Sequence, residues 1–473
     1  MLKSKLSSWS GCGRPKEGPL GCEPERLAFE ARRSPNVMTH PARPPLVFSL
    51  LALLLLIVLV AGCGDNGLPT APEDEKPPLG VPHHTTPPPG ARHHAHRQLV
   101  VTLEPGLDPT LINIVFGTTT LREISELNAF LLGTPEGVPV HELLELISVF
   151  PGVVAADLNW LLQSPESEQR NMAFDEGGFT IDDYHDQDFL ARIQAPEAHA
   201  IADGTGVLVA TIDTGVDLDH PVLAKHLALD GYDFVADDAT PEDEADGIDQ
   251  DRDGIADEAA GHGTHVAGLL LLGAPECTIM PVRVLDSEGW GDSFTVTQGI
   301  LFAVDHGARV INMSLGMEGS QVQLRQAILL ADEHGIVLVG SAGNGGRNAP
   351  HHYPAGYREV IAVTATDADD HLASFANYGK HIDLCAPGVG LLSTYLNGKY
   401  AIWSGTSMAT PLVSAGAALL LDYNANMNQD NVASTLCLGA EGIEPANPRY
   451  AGQIGRGRLN LYGAITVESW NTE

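Results

Sequence analysis

The sequence predicts an α/β fold, a mainly parallel sheet flanked by helices and preceded by a small α+β unit. Three observations carry that expectation. Five short runs, "GVLVATIDTG" (206–215), "TIMPVRVL" (278–285), "ARVINMSLG" (308–316), "GIVLVGSAGN" (335–344) and "VIAVTATD" (360–367), are nearly continuous in apolar residues. Strands buried on both faces read this way. Helix-like stretches such as "SFTVTQGILFAVDHG" and "SQVQLRQAILLADEHG" alternate with them, the order that builds a parallel sheet between helical layers. Upstream, a strand pattern "RQLVVTLEPG", a helical pattern "HELLELISVF" and a turn and strand "PGVVAADLNW" make a shorter set. A unit of that size folds marginally by itself.

Taken from the N-terminus, residues 1–37 read as an over-extended start without a fold. Residues 38–62 read as a signal peptide: Met38 and Arg43 precede an apolar run from Leu46 to Ala61, short for a comfortable membrane span. The run ends in Val60-Ala61-Gly62-Cys63, an ending that resembles a bacterial lipobox with Cys63 as the lipidated residue. Such a chain is exported and held in the cell envelope. Residues 63–97, rich in Pro, Gly and His, form a flexible tether. The small α+β unit covers 98–163, an uneven polar connector 164–188, and the large domain 189–466. Cys277, Cys385 and Cys437 are odd in number and widely spaced, so buried free thiols are expected in place of a disulfide framework.

In open α/β sheets chemistry gathers at the carboxyl ends of the strands. Asp213 stands at such an end in "TIDTG", His262 among glycines in "GHGTHVAG", Asn344 at another strand end in "SAGNGG". Ser407 opens a long small-residue helix in "SGTSMATPLVSAGAALLL". Each alone has a bland explanation: a turn cap, a core histidine like the neighbouring His265, a helix N-cap. Together they supply a nucleophile, a base to take its proton, a buried carboxylate to orient that base, and an amide donor for an oxyanion. No Gly-x-Ser-x-Gly elbow surrounds Ser407. "HELLE" at His141 lacks a zinc peptidase's second histidine.

The order Asp, His, Ser with "DTG", "GHGTHVAG", "AGN" and "GTSMATP" resembles the subtilases, the subtilisin-like serine peptidases. The resemblance runs from about Phe189 to Ile465 and includes "MPVRVLD", "NMSLG", "YPA", "APG" and "GRLNLYGA". It implies that Asp213 orients His262, that His262 is base and then acid, and that Ser407 attacks. Asn344 and the Ser407 amide would form the oxyanion hole. It implies a substrate path along Ser314, Leu315 and Gly316 and along Ser341, Ala342 and Gly343. His352 in "HHYPAG" would floor the pocket for the residue before the scissile bond, making it shallow, polar and suited to small or acidic side chains. It also implies that 98–163 is a prodomain that assists folding and is cut away within 160–188. Because Cys63 lies upstream of that cut, maturation would free the enzyme from its membrane anchor. Partners are then protein or peptide substrates and the chain's own prodomain.

The chain carries 61 acids against 26 bases, a net charge of -35, which argues against a nucleic-acid partner. Thirteen of the acids fall between Asp230 and Glu258, with Arg252 the one base. Within them Asp249, Asp251, Asp253 and Asp257 take positions one, three, five and nine of a loop with Gly254 at six, a spacing that gathers oxygens round Ca²⁺. Position twelve is Ala260, so Glu258 would have to serve in its stead. A structural Ca²⁺ is therefore expected just before His262. The competing reading is a catalytically silent, lipid-anchored, calcium-binding scaffold on the same fold.

Overall fold

A computed structural model describes residues 94–168, 178–250, 252 and 254–467. The signal segment, Cys63 and most of the tether lie outside these residues. Among the described residues, no helix is long and apolar enough to cross a membrane.

The five apolar runs form the heart of a seven-stranded, wholly parallel sheet. In spatial order its strands are Leu384–Pro387, Ile361–Thr366, Val337–Ser341, Val310–Met313, Leu208–Asp213, Thr278–Arg283 and Tyr232–Asp233. Alternate side chains go to opposite faces, as the pleat requires. Val209, Ile279, Val310 and Val339 enter one core with the helices His262–Gly273 and Thr406–Tyr423. Ala210, Ile212, Met280, Val282 and Leu338 enter a second core with Ser293–Asp305 and Val322–Glu333. The helix His262–Gly273 is buried on every side. That explains its lack of a polar stripe, the mark of a helix inside a large core.

The upstream unit is an antiparallel sheet in the order Thr119–Ile124, Ala129–Gly133, His94–Leu103, Val153–Gln163. The helix Val140–Ser148 lays Leu143, Leu144 and Ile147 against Leu99, Val101, Leu132 and Leu158. The first strand begins at His94, inside the stretch expected to be tether. The last strand runs on into the large domain, where Leu161–Gln163 pairs with Trp290–Asp292. Asn159 Oδ1 accepts from Phe294 N and Ser293 Oγ, closing the amino end of the helix Ser293–Asp305.

The connector departs most from expectation. Ser164, Glu166 and Ser167 are buried, not exposed. At its other end Thr180 and Asp183 form a reciprocal cap on the helix Ile181–His185. Tyr184 of that helix is fully buried in the main core, its hydroxyl donating to Gly268 O at 2.6 Å. The large domain thus starts before Phe189.

Candidate active site

Asp213 ends its strand fully buried, and its Oδ1 lies 2.6 Å from His262 Nδ1. The same oxygen accepts from Thr214 N at 2.8 Å. His262 is the first residue of its helix, brought there by the left-handed Gly261, φ 87°. That helix start is held by Asp243, whose carboxylate accepts from Gly261 N, Thr264 N and Thr264 Oγ1 at 2.7–3.0 Å. Trp403 stands edge-on to both His262 and His265, ring centroids 5.4 and 5.7 Å away. His265 Nε2 faces the carbonyls of Leu391 and Ala401, the core position foreseen for it.

Ser407 lies in the first turn of the helix Thr406–Tyr423, fully buried. Pro411 inside that helix has no N–H for the Ser407 carbonyl, four residues back. Ser314 Oγ donates to that freed carbonyl at 3.1 Å, tying the strand end at 314 to the serine. Asn344 follows the strand Val337–Ser341, and its Oδ1 accepts from Thr406 N and Oγ1. Its amide is thereby turned toward Ser407.

Three of these residues, His262, Asn344 and Ser407, meet on a residue that the sequence did not flag. Ser407 Oγ donates to Glu166 Oε2 at 2.6 Å, and His262 Nε2 lies 3.0 Å from the same oxygen. Asn344 Nδ2 donates to Glu166 Oε1 at 2.9 Å, and Ser407 N points to it at 3.4 Å. A side chain on Gly405 would collide with Oε1, its Cβ 1.7 Å away, so glycine there makes the room. Burial alone would lower the His262 pKa. The Asp213 charge and hydrogen bond, with those of Glu166, outweigh it and raise the imidazole to about 10.

The chain segment before Glu166 is bonded to Gly316 and Gly289. Gln163 and Gly316 exchange backbone hydrogen bonds at 3.0 and 3.1 Å, and Ser164 N donates to Gly289 O at 3.0 Å. Leu315 is buried, its carbonyl facing Ser341 Oγ. Ala342 O accepts from Asn377 Nδ2, and Gly343 N donates to Thr406 Oγ1. His352 is buried beside Gly316 and Gly343.

In the acidic loop, Asp251 and Asp253 lie outside the described residues. Gly254, φ 99°, donates its amide to Asp249 Oδ2 at 3.0 Å, the tight turn that position six of a calcium loop needs. Asp257 instead spends its carboxylate on the amides of Asp246 and Gly247, and Glu258 is buried. Among the described residues, no three acids, histidines or cysteines are grouped to hold a metal. Cys277, Cys385 and Cys437 are free thiols.

A family model described as the subtilase family matches residues 204–457. The chain belongs to the subtilase family and is a subtilisin-like serine peptidase. It is 40% identical over 274 residues to thermitase of Thermoactinomyces vulgaris, covering 58% of this chain and 94% of that one. It is 35% identical over 290 residues to subtilisin BL of Lederbergia lenta, covering 59% and 96%. Among solved structures, fervidolysin from Fervidobacterium pennivorans, a keratinolytic enzyme related to subtilisin, shares the fold. Its TM-score is 0.64 at 24% identity, over 79% of this chain and 61% of that chain.

Proposed function

We propose that this chain is the precursor of an exported serine endopeptidase that works through Asp213, His262 and Ser407. The observation that carries the proposal is the convergence of Ser407 Oγ, His262 Nε2 and Asn344 Nδ2 on one small volume, with Asp213 behind the imidazole. Ser407 Oγ attacks the scissile carbonyl while its proton passes to His262 Nε2. The carbonyl oxygen becomes an oxyanion taken up by Asn344 Nδ2 and the Ser407 N–H at the helix start. His262 then gives its proton to the leaving amine, and water repeats the cycle on the acyl-enzyme. Asp213 keeps Nδ1 as the donor and stabilises the imidazolium.

In the uncleaved chain Glu166 fills both halves of that volume. One oxygen takes the oxyanion donors and the other lies between nucleophile and base, so no carbonyl can enter. Residues 98–163 are accordingly a prodomain, and maturation is a cut within 160–188 that releases Glu166. The lipobox-like Cys63 would hold the precursor, not the mature enzyme, at the envelope. A Ca²⁺ held by Asp249, Asp251 and Asp253 would be structural and take no part in the chemistry.

Ser407→Ala tests the whole reading. It abolishes hydrolysis of casein and labelling by a fluorophosphonate, and it leaves the chain uncut and in the membrane fraction. Labelling that survives the substitution would refute the assignment. Asn344→Ala lowers kcat by about 10²–10³, a magnitude carried over from subtilisin's own side-chain donor.

A further inference from the structure

The peptidase reading requires a peptide laid in fixed register with the imidazole of His262. Resting on that reading, we infer that Glu288 is a positioning residue for this step. Its buried carboxylate ties the strand Trp290–Asp292 to the backbone that carries His262.

The strand Trp290–Asp292 is paired with Leu161–Gln163, the segment that leads on to Glu166 between Ser407 and His262. A closed turn carries the strand. Asp286 N donates to Trp290 O at 2.8 Å and Gly289 N donates to Asp286 O at 2.9 Å. Asp286 Oδ1 accepts from Glu288 N at 3.1 Å and from Trp290 N at 2.8 Å. A turn bonded in this way moves as one piece and takes the strand with it.

The far end of the acidic stretch fixes that turn. Glu288 is fully buried, and its Oε1 accepts from Asp257 N at 2.7 Å. Beside it Ser287 O accepts from Ala259 N at 2.9 Å, and Ala259 O accepts from His262 N at 2.9 Å. Ala259 therefore holds the turn through its N–H and the base through its carbonyl. Gly289 is pressed from both sides. A Cβ there would lie 2.8 Å from Ala259 Cβ and 2.5 Å from Ser164 Oγ and Ser167 Oγ. With so little slack, a shift of 257–259 passes to the strand.

The donor to Glu288 Oε1 is a backbone N–H, so the reach of the side chain sets the spacing and its charge does not. A displacement of about 1 Å can cost 10²-fold in rate. A short ester is placed by Ser407, His262 and Asn344 alone, whereas a long peptide is placed by the strand as well. Slackening at Glu288 therefore penalises long peptides.

The test uses the full-length protein after its own maturation, with active sites counted by fluorophosphonate labelling. Two substrates are compared: a peptide long enough to lie along Trp290–Asp292, and the ester of a single blocked amino acid. Glu288→Asp keeps the charge and shortens the reach. Its kcat/KM on the long peptide should fall about tenfold or more, with the ester hydrolysed as before. Glu288→Ala should behave in the same way. Glu288→Gln keeps the reach without the charge and should stay close to wild type on both substrates. Equal losses on peptide and ester, or no loss on either, overturn this inference with the peptidase intact. So does a Glu288→Gln that loses the long peptide while Glu288→Asp retains it. Loss of labelling in both Glu288→Asp and Glu288→Ala leaves Glu288 a folding role only and overturns the inference as well. Absence of casein hydrolysis and of Ser407 labelling in the wild type would overturn the peptidase reading and this inference together.

Discussion

Glu166 and His262 form a buried acid–imidazole contact whose strength depends on pH in a direction that can be worked out. The folded pKa of His262, about 10, lies above the ordinary histidine value of about 6.5. A raised folded value stabilises the full-length chain fully below about pH 6.5, and the contribution fades as pH rises through about 10. Asp213 supplies part of it, and Glu166 supplies a further part that the proposed cut would remove. Full-length Ser407→Ala should thus melt above Ser407→Ala/Glu166→Gln at neutral pH, with the gap closing toward pH 10. Coincident melting curves at pH 7 would remove Glu166 from the account. With Ser407 intact, Glu166→Gln should convert precursor to mature enzyme faster than wild type in a time course, because the uncharged amide is a poorer partner for the imidazolium. No sequence pattern reveals Glu166. "SPESEQR" is polar and uneven, and the carboxylate's role depends on where the preceding strand ends, which is a tertiary fact.

At the scale of elements, the helix Ile181–His185 would limit where the proposed maturation could cut without harm. Tyr184 is wedged into the main core and bonded to Gly268 O. A large domain made to begin at Phe189 loses that side chain, at a cost of about 3–5 kcal/mol for an aromatic removed from a core. A domain beginning at Thr180 keeps it. The mature N-terminus found by sequencing should therefore lie upstream of Thr180, and the shorter domain should melt well below the longer one. Equal melting temperatures would mean that Tyr184 holds nothing. The five apolar runs and the two long helices between them were legible because each is a local pattern, a run without polar alternation or a helical period, and the four proposed active-site residues stood out as glycine-flanked motifs. Tyr184 was hidden by its polar neighbours, since "IDDYHDQD" shows one aromatic among acids. The pair Leu391–Tyr395 and Lys399–Trp403 was hidden too, because its short strands are joined by a turn and lie outside the alternation of the main sheet. Asp243 gave no signal, since its partners at Gly261 and Thr264 are 18 and 21 residues away in sequence.

Across the whole molecule the surplus of acid has to be accommodated. Burial raises the carboxyls of Glu242 and Asp243 to about 7 and about 6, with neighbouring acids adding to the shift. Raised carboxylates weaken the fold as pH rises through those values. A divalent cation bound on the nearby loop, as proposed above, would act against such repulsion. Excess EGTA should lower the melting temperature of the full-length protein. Asp249→Asn/Asp251→Asn should start lower and lose the response to chelator, whereas an unchanged melting temperature on chelation would dismiss the ion. The effect should fall on stability more than on turnover, because Asp243 already staples Gly261 and Thr264 at the foot of the catalytic helix. That staple holds Asp243 against Gly261 and Thr264, so the two ends of the acidic stretch meet at one point. A foreign sequence stitched into the exposed residues 244–248 should therefore leave the imidazole where it is, whereas the buried Ala259 and Ala260 tolerate no such exchange.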